Sequence, residues 1–280
     1  MRISFSKSVT ESLLAKIRSG EMMSRNEKFN LIIQLSIPSI LAQVTTVLMF
    51  YIDAGMVGSL GAEPSAAIGL VEPATWLFFS LVSAVTMGFS VQVAHFIGAN
   101  DFAKARAVMR HGYIFGLCFA LFLLLITFLI GYRLPVWLGG GADIQHDATV
   151  YFLIFSLIIP FHLIEYMSAA MLKVSGDMRR PSFMAILMCV LDVIFNYFFI
   201  FPTRTVSLFG VEVTMPGLGE GVAGAALGSL LSFVCVALPL AYYAIFRSPI
   251  LAWKQDVERF VWRWQYIWNA MKIGAPMAGA

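Results

Sequence analysis

The 280 residues are 59% hydrophobic and 12% charged, with a mean hydropathy of +0.81. Soluble domains carry about 25% charged residues, so this composition excludes an ordinary soluble protein and assigns a polytopic membrane protein. The net charge of +3 gains meaning only when mapped onto loops, and no nucleic-acid partner is expected.

Residues 1–28 carry six Lys/Arg and no continuous apolar core, so they are expected to be a cytoplasmic tail and not a cleavable signal. Val9, Leu13, Leu14 and Ile17 share one helical face; a short helix on the membrane surface and a solvated tail both fit that pattern. Ser24 followed by Glu27 has the spacing of a capping box and predicts the start of the first span, residues 29–57. Pro38 lies inside that span, removes one helix hydrogen bond and is the candidate bending point. Asp53 stands near its outward end. A carboxylate in hydrocarbon is costly, so Asp53 must face protein, interfacial water or a cation.

The second span is predicted over 66–97, with Glu72 next to Pro73 at a depth similar to that of Asp53, where it could line a cavity or sit at the interface. In the loop that follows, Asn100 is the expected cap of a basic amphipathic turn, and His95 and His111 read as interfacial. The third span covers 113–131 and the fourth 149–172. The fourth contains His162 and Glu165, which could line a cavity or form a structural pair. The fifth, 182–201, places Asp192 and Asn196 on one face because they are four apart. Asp192 falls mid-span, where a lone acid would take a proton, be held ionised by a cation, or serve as a hydrogen-bonded packing group. Valine/threonine alternation around Phe209-Gly210 predicts a small hairpin. The sixth span, 222–246, contains Gly224-x-x-x-Gly228, a spacing that lets helices approach closely, and Ser229, a possible hydroxyl ligand.

A basic, tryptophan-rich connector follows over 247–268, and 269–280 opens a seventh apolar segment. Leu35-Ser-Ile-Pro-Ser-Ile-Leu-Ala42 and Ile273-Gly-Ala-Pro-Met-Ala-Gly-Ala280 share a proline at the fourth position and an alanine at the eighth. The match predicts a second copy of the same half, so the chain is expected to be an N-terminal fragment of a longer transporter whose C-terminal half is a missing partner. The bland alternative is a complete six-helix protein with a re-entrant or surface tail. The expected organisation is therefore a tail (1–28), a six-helix transmembrane lobe (29–246), a cytoplasmic connector (247–268) and the truncated start of a second lobe (269–280). Seventeen of the 19 Lys/Arg residues fall on the side of the N-terminus, which the positive-inside rule makes cytoplasmic, in a multi-pass protein of the inner membrane.

Chemistry of other kinds has no motif here. PGLGEG lacks a surrounding strand–helix unit, and there is no phosphate-binding loop, no His-Glu-x-x-His and no CxxC, so no enzyme and no cofactor are expected. Cys118, Cys189 and Cys235 fall in apolar runs and read as packing residues.

The ordered set of motifs resembles the multidrug and toxic compound extrusion (MATE) family of cation-coupled antiporters. It comprises Ile37-Pro38 … Asp53-x-x-Met-Val-Gly58-x-Leu-Gly61, Gly88 … Ile97-Gly98-Ala99-Asn100-Asp101, Ser175-Gly176-Asp177-Met-Arg179-Arg-Pro181, Asp192-x-x-x-Asn196 and Gly221-Val-Ala-Gly-Ala-Ala226. The resemblance covers residues 29–280 and implies that family's N-terminal six-helix lobe. It implies a cation site for H+ or Na+ at Asp53, Asp192, Asn196 and Ser229, and a small organic, cationic exported substrate. The order Asp192 then Asn196 departs from the family's more common Asn-first pattern, and Met49 replaces a tyrosine seen in some members. Two other readings stand beside the antiporter: a lipid-linked oligosaccharide flippase, which should embed Arg or Lys where this chain has none away from span ends, and a membrane partner without transport, which leaves Asp53 and Asp192 unexplained.

Overall fold

A computed structural model describes residues 12–278 except 14, 17, 18, 209, 210 and 256–259. Three of the four residues of the tail's apolar face, Val9, Leu14 and Ile17, lie outside that set, as do the hairpin tip Phe209-Gly210 and the last two residues of the second repeat copy.

Nine helices and one hairpin are described: α1 (Arg25–Gly58), α2 (Ala62–Gly98), α3 (Phe102–Gly131), α4 (Leu134–Trp137), α5 (Gln145–Ser156), α6 (Ile158–Val174), α7 (Arg179–Ile200), β1 (Pro202–Leu208), β2 (Val211–Leu218), α8 (Gly221–Tyr242) and α9 (Trp264–Ala278). Among the described residues, six segments are long and apolar enough to cross a membrane: α1, α2, α3, α5 with α6 as one unit, α7, and α8 with the π-helical turn Tyr243–Arg247 that extends it. The architecture is the expected all-α lobe, with β1 and β2 forming only a two-stranded antiparallel hairpin between α7 and α8.

Local chemistry accounts for the ends. Ser24 Oγ accepts from the Glu27 amide at 3.2 Å and the Glu27 carboxylate accepts from the Ser24 amide at 2.9 Å, so the capping box forms. The expected Asn100 cap does not. Asn100 takes a left-handed φ of 57°, which asparagine tolerates, and closes α2; Asp101 instead accepts from the Lys104 amide at 3.1 Å and starts α3. The Lys104 ammonium beside Asp101 holds its carboxyl below the usual carboxylate range. The fourth span breaks at Leu157, because Pro160 has no N–H for the Ser156 carbonyl.

The core lies among α2, α3, α5 and α6, where Phe89, Phe152, Met109, Leu163 and Met167 are fully buried. α1 sits at the edge of this core and packs mainly on α7. Its Ile40, Leu41, Val44, Val47, Leu48 and Tyr51 form one exposed stripe, whereas Met49, Asp53 and Val57, spaced by four, occupy the face turned toward the lobe.

His111, expected at an interface within a loop, is instead buried on α3. Its Nδ1 meets the Ala107 carbonyl at 2.6 Å, and its Nε2 accepts from the Arg263 amide at 2.8 Å. Arg106 and Arg110, one turn apart, donate to the Ile250 and Trp253 carbonyls at 3.1 and 2.7 Å. The start of α3 thus anchors the connector that leads into α9. α9 begins at Trp264, inside the expected connector, and lies against α2. A Cβ at Gly88 would overlap Ala270 and one at Gly274 would overlap the Ala84 carbonyl, so glycines allow this contact. Gln92 Nε2 seals it by donating to the Tyr266 carbonyl at 3.0 Å.

Candidate functional site

The sequence positions that carry acids inside the spans are brought together where α1, α7 and α8 meet. α7 and α8 are antiparallel neighbours joined by the β1–β2 hairpin, and Gly224 and Gly228 let their backbones touch. A Cβ on Gly224 would overlap the Phe199 carbonyl, and one on Gly228 would lie 2.8 Å from the Asn196 nitrogen. Asp192 and Asn196, one turn apart on α7, are therefore pressed toward α8 and buried, while Asp53 reaches them from α1.

One side chain holds the acids together. Asn196 Nδ2 donates to Asp53 Oδ1 and to Asp192 Oδ2, each at 2.9 Å. A primary amide has two N–H bonds, so both are committed, one to each carboxyl group. The two carboxyls share a donor atom and are in direct electrostatic contact. Asn196 Oδ1 is buried and has no hydrogen-bond partner. Buried polar atoms are normally satisfied, which marks this oxygen as unspent coordinating capacity.

α8 contributes hydroxyls. Ser232, fully buried, has its Oγ 3.1 Å from Asp192 Oδ1 and 2.8 Å from the Ser229 carbonyl; its single hydrogen can serve only one of them at a time. The Ser229 hydroxyl also reaches Asp192. Ser232 was not singled out in the sequence. The signal available was its position one turn after Ser229 in GSLLS, on the same helix face.

The remaining residues are placed elsewhere. Glu72 is exposed on α2 and accepts from Trp76 Nε1 at 3.2 Å, and Tyr151 of α5 stands in electrostatic range of Glu72, Asp53 and Asp192. His162 is stacked on Phe79 with ring centroids 4.4 Å apart and lies edge-on to Phe233. Both of its ring nitrogens are buried without a hydrogen-bond partner, so it forms no pair with Glu165, half-buried one turn later. Neither residue hydrogen-bonds to the Asp53 cluster. Pro38 lies within α1, a single helix of 34 residues, and leaves the Gln34 carbonyl without its helical donor. Cys118, Cys189 and Cys235 are all free thiols.

The arrangement offers a hard-oxygen set, two carboxylates, an amide oxygen and serine hydroxyls, suited to a proton or an alkali cation and not to a soft metal. The model of the MatE family matches residues 38–198, more than half of the chain, taking in α1 from Pro38 onward, all of α2 and the α7 residues Asp192 and Asn196. The chain belongs to the MatE family.

Among curated relatives, this MATE protein is 24% identical over 254 residues to the probable multidrug resistance protein NorM of Neisseria meningitidis, an alignment covering 90% of the chain and 52% of the relative. It is 21% identical over 228 residues to the multidrug export protein MepA of Staphylococcus saprophyticus, covering 81% and 47%. The chain thus spans about half the length of the curated relatives it matches. Among solved structures it is similar to an outward-facing multidrug resistance MATE transporter of the MOP superfamily, with a TM-score of 0.78, 22% identity, and coverage of 98% of this chain and 54% of the other. A MATE structure in the bent conformation gives a TM-score of 0.76 at 22% identity, covering 98% and 55%, and one in the straight conformation gives 0.77 at 24%, covering 89% and 52%. These structural likenesses carry the fold, and the fold class read from the sequence is the one they share.

Proposed function

We propose that this chain is the ion-binding lobe of a cation-coupled antiporter that exports drugs or organic cations across the inner membrane. The observation that carries the reading is the shared Asn196 amide, which ties Asp53 of α1 to Asp192 of α7. Two carboxylates sharing one donor in a low-dielectric setting repel each other unless one proton or one cation joins them. Binding or release of that ion changes the hold of α7 on α1, and a ligand shifts a conformational equilibrium by its differential affinity for the two states. Pro38 supplies α1 with a place to bend, and MATE relatives of known structure include bent and straight forms.

In this reading the Asn196 amide distinguishes ion from no ion. With its N–H groups on both acids, as here, it fits a site holding at most a proton. Turned over, it would present Oδ1 to a cation between the carboxylates, and nothing in its surroundings holds Oδ1 where it is by a hydrogen bond. A second six-helix lobe would supply the other wall of a substrate pathway, in keeping with the half-length match and with the unpartnered apolar stripe on α1. Export of a substrate against a pH or Na+ gradient by proteoliposomes holding the full-length protein tests the proposal; uptake indifferent to both gradients would overturn it.

Two further results are expected. Asp192→Asn removes one carboxylate from the oxygen set but keeps an acceptor for Asn196, so transport should persist with a higher Na+ concentration, or a shifted pH, for half-maximal rate. An unchanged ion response in that variant would place Asp192 outside the site. For orientation, a reporter inserted within residues 203–220 should read as external and one within 254–264 as cytoplasmic. The reverse pattern would invert the lobe.

A further inference from the structure

The connector that leads into α9 is held on α3 by three side chains, Arg106, Arg110 and His111. The two arginines donate to backbone carbonyls, and a guanidinium keeps its charge across the working pH range. His111 differs because it is the acceptor. Its Nε2 takes the Arg263 amide at 2.8 Å, and a backbone N–H can only donate. Nδ1, 2.6 Å from the Ala107 carbonyl, must then carry the ring's one hydrogen, since a carbonyl can only accept. Both partners fix the same neutral tautomer. A second proton would have to go on Nε2, turning the acceptor into a donor that faces another donor.

The imidazole is fully buried, with the rings of Phe260, Trp262 and Tyr266 around it at centroid distances of 4.8, 4.8 and 5.2 Å. From the connector, Arg263 presents it with a positive charge, and from α9 it meets the Tyr266 ring. On α3 its sequence neighbours Arg106 and Arg110 are cationic, and the acid Asp101 at the start of that helix is paired with Lys104. Asp256, Glu258 and Arg259 of the connector lie outside the described residues.

We propose that His111 is a pH-operated latch: the neutral imidazole pins the connector and the start of α9 to α3, and acidification releases them. Because the ring is buried, a proton reaches Nε2 only when the segment at Arg263 lifts away. Once lifted, the imidazole titrates as a free histidine does, near pH ~6.5, and the proton it takes blocks the return. The closed state binds one proton fewer than the open state, so its stability falls as pH falls. For a ring that stays neutral while latched, the closing constant drops about tenfold between pH ~7.5 and ~5.5. Release is local. The contacts of α9 with α2 at Gly88 and Gly274, and the Gln92 bond to the Tyr266 carbonyl, contain no group that titrates in this range. In the antiporter reading the released segment is the connector toward a second lobe, but the latch stands on the His111 geometry and does not depend on ion coupling.

The test is hydrogen–deuterium exchange of the full chain in detergent at pH ~5.5 and ~7.5, corrected for the intrinsic pH dependence of amide exchange. In the parent, protection over residues 260–266 should fall about tenfold at the lower pH, while protection over 270–276 changes little. His111→Gln and His111→Phe both remove the titrating group, and the second keeps a ring among Phe260, Trp262 and Tyr266. In either variant protection over 260–266 should be the same at both pH values, so one suffices where the other folds poorly. A flat profile in the parent would overturn the latch. So would the parent's full tenfold fall in a folded His111 variant, which would assign the response to another group, such as Asp256 or Glu258. An equal fall over 270–276 in the parent would also overturn it, by showing acid unfolding of the lobe in place of local release.

Discussion

Asp53→Asn in the full-length protein should abolish ion-driven export while leaving the folded yield close to that of the parent. The amide that replaces the carboxyl keeps an oxygen to accept from Asn196 Nδ2, so the 2.9 Å link between α1 and α7 has a replacement. What the substitution removes is the ability to carry a negative charge, and with it the capacity to take up and release a proton or to neutralise a cation. Removing a charge from a membrane-embedded site does not by itself cost folding, since such charges are expensive to hold there. Transport by reconstituted protein should be measured under imposed pH and Na+ gradients and expressed per folded molecule. Full coupling in this variant would remove Asp53 from the mechanism. A lower folded yield with unchanged coupling per molecule would reduce it to a packing acid.

The proposed coupling site was legible in part because its residues obey two simple rules. Charged groups do not enter hydrocarbon without a reason, so Asp53 and Asp192 stood out from composition alone, and a spacing of four placed Asn196 beside Asp192. Facing was not legible. That Asp53 shares a helix face with buried Met49 and Val57, and so turns toward α7 and not toward interfacial water, depends on which neighbour α1 packs against. Ser232 went unnoticed because serine in a span is common at helix contacts, and only the rotation of α8 about its axis turns the face that Ser229 and Ser232 share toward Asp192.

The same division holds for the fold. The six spans follow from hydropathy, and their ends from proline, glycine and capping chemistry. The Asn100/Asp101 pair shows where such reasoning stops. Both residues are competent caps, and the choice was made by the backbone, which needed a residue tolerant of positive φ to turn between α2 and α3. His111 shows another limit. Its burial depends on the distant segment at Arg263 folding back over α3, a contact between residues far apart in the chain that periodicity does not encode. His162 likewise carried the expectation of a polar partner at Glu165, but its ring stacks on Phe79 from another helix.

Gly228→Ala should damage the α7–α8 pair and the proposed site together. The new methyl would sit 2.8 Å from the Asn196 nitrogen and 3.0 Å from its Cα, and would overlap Oδ1 of the side chain. Backbone cannot yield as a flexible side chain can, so α7 must shift away from α8. Overpacking of this kind typically costs about 1–3 kcal/mol, which should appear as a lower unfolding temperature of the purified chain. Gly224→Ala provides the comparison. Its methyl would meet the Phe199 carbonyl and Ile200 nitrogen, so a similar loss of stability is expected, one turn away from Asn196. The two variants should part in function. Displacing Asn196 withdraws the shared donor from Asp53 and Asp192, so Gly228→Ala should alter the Na+ or pH dependence of transport per folded molecule, whereas Gly224→Ala should retain the parent's response at reduced yield. If both variants kept the parent's ion response, the position of Asn196 would not govern coupling, and the amide would be a packing contact between helices that happen to carry acids.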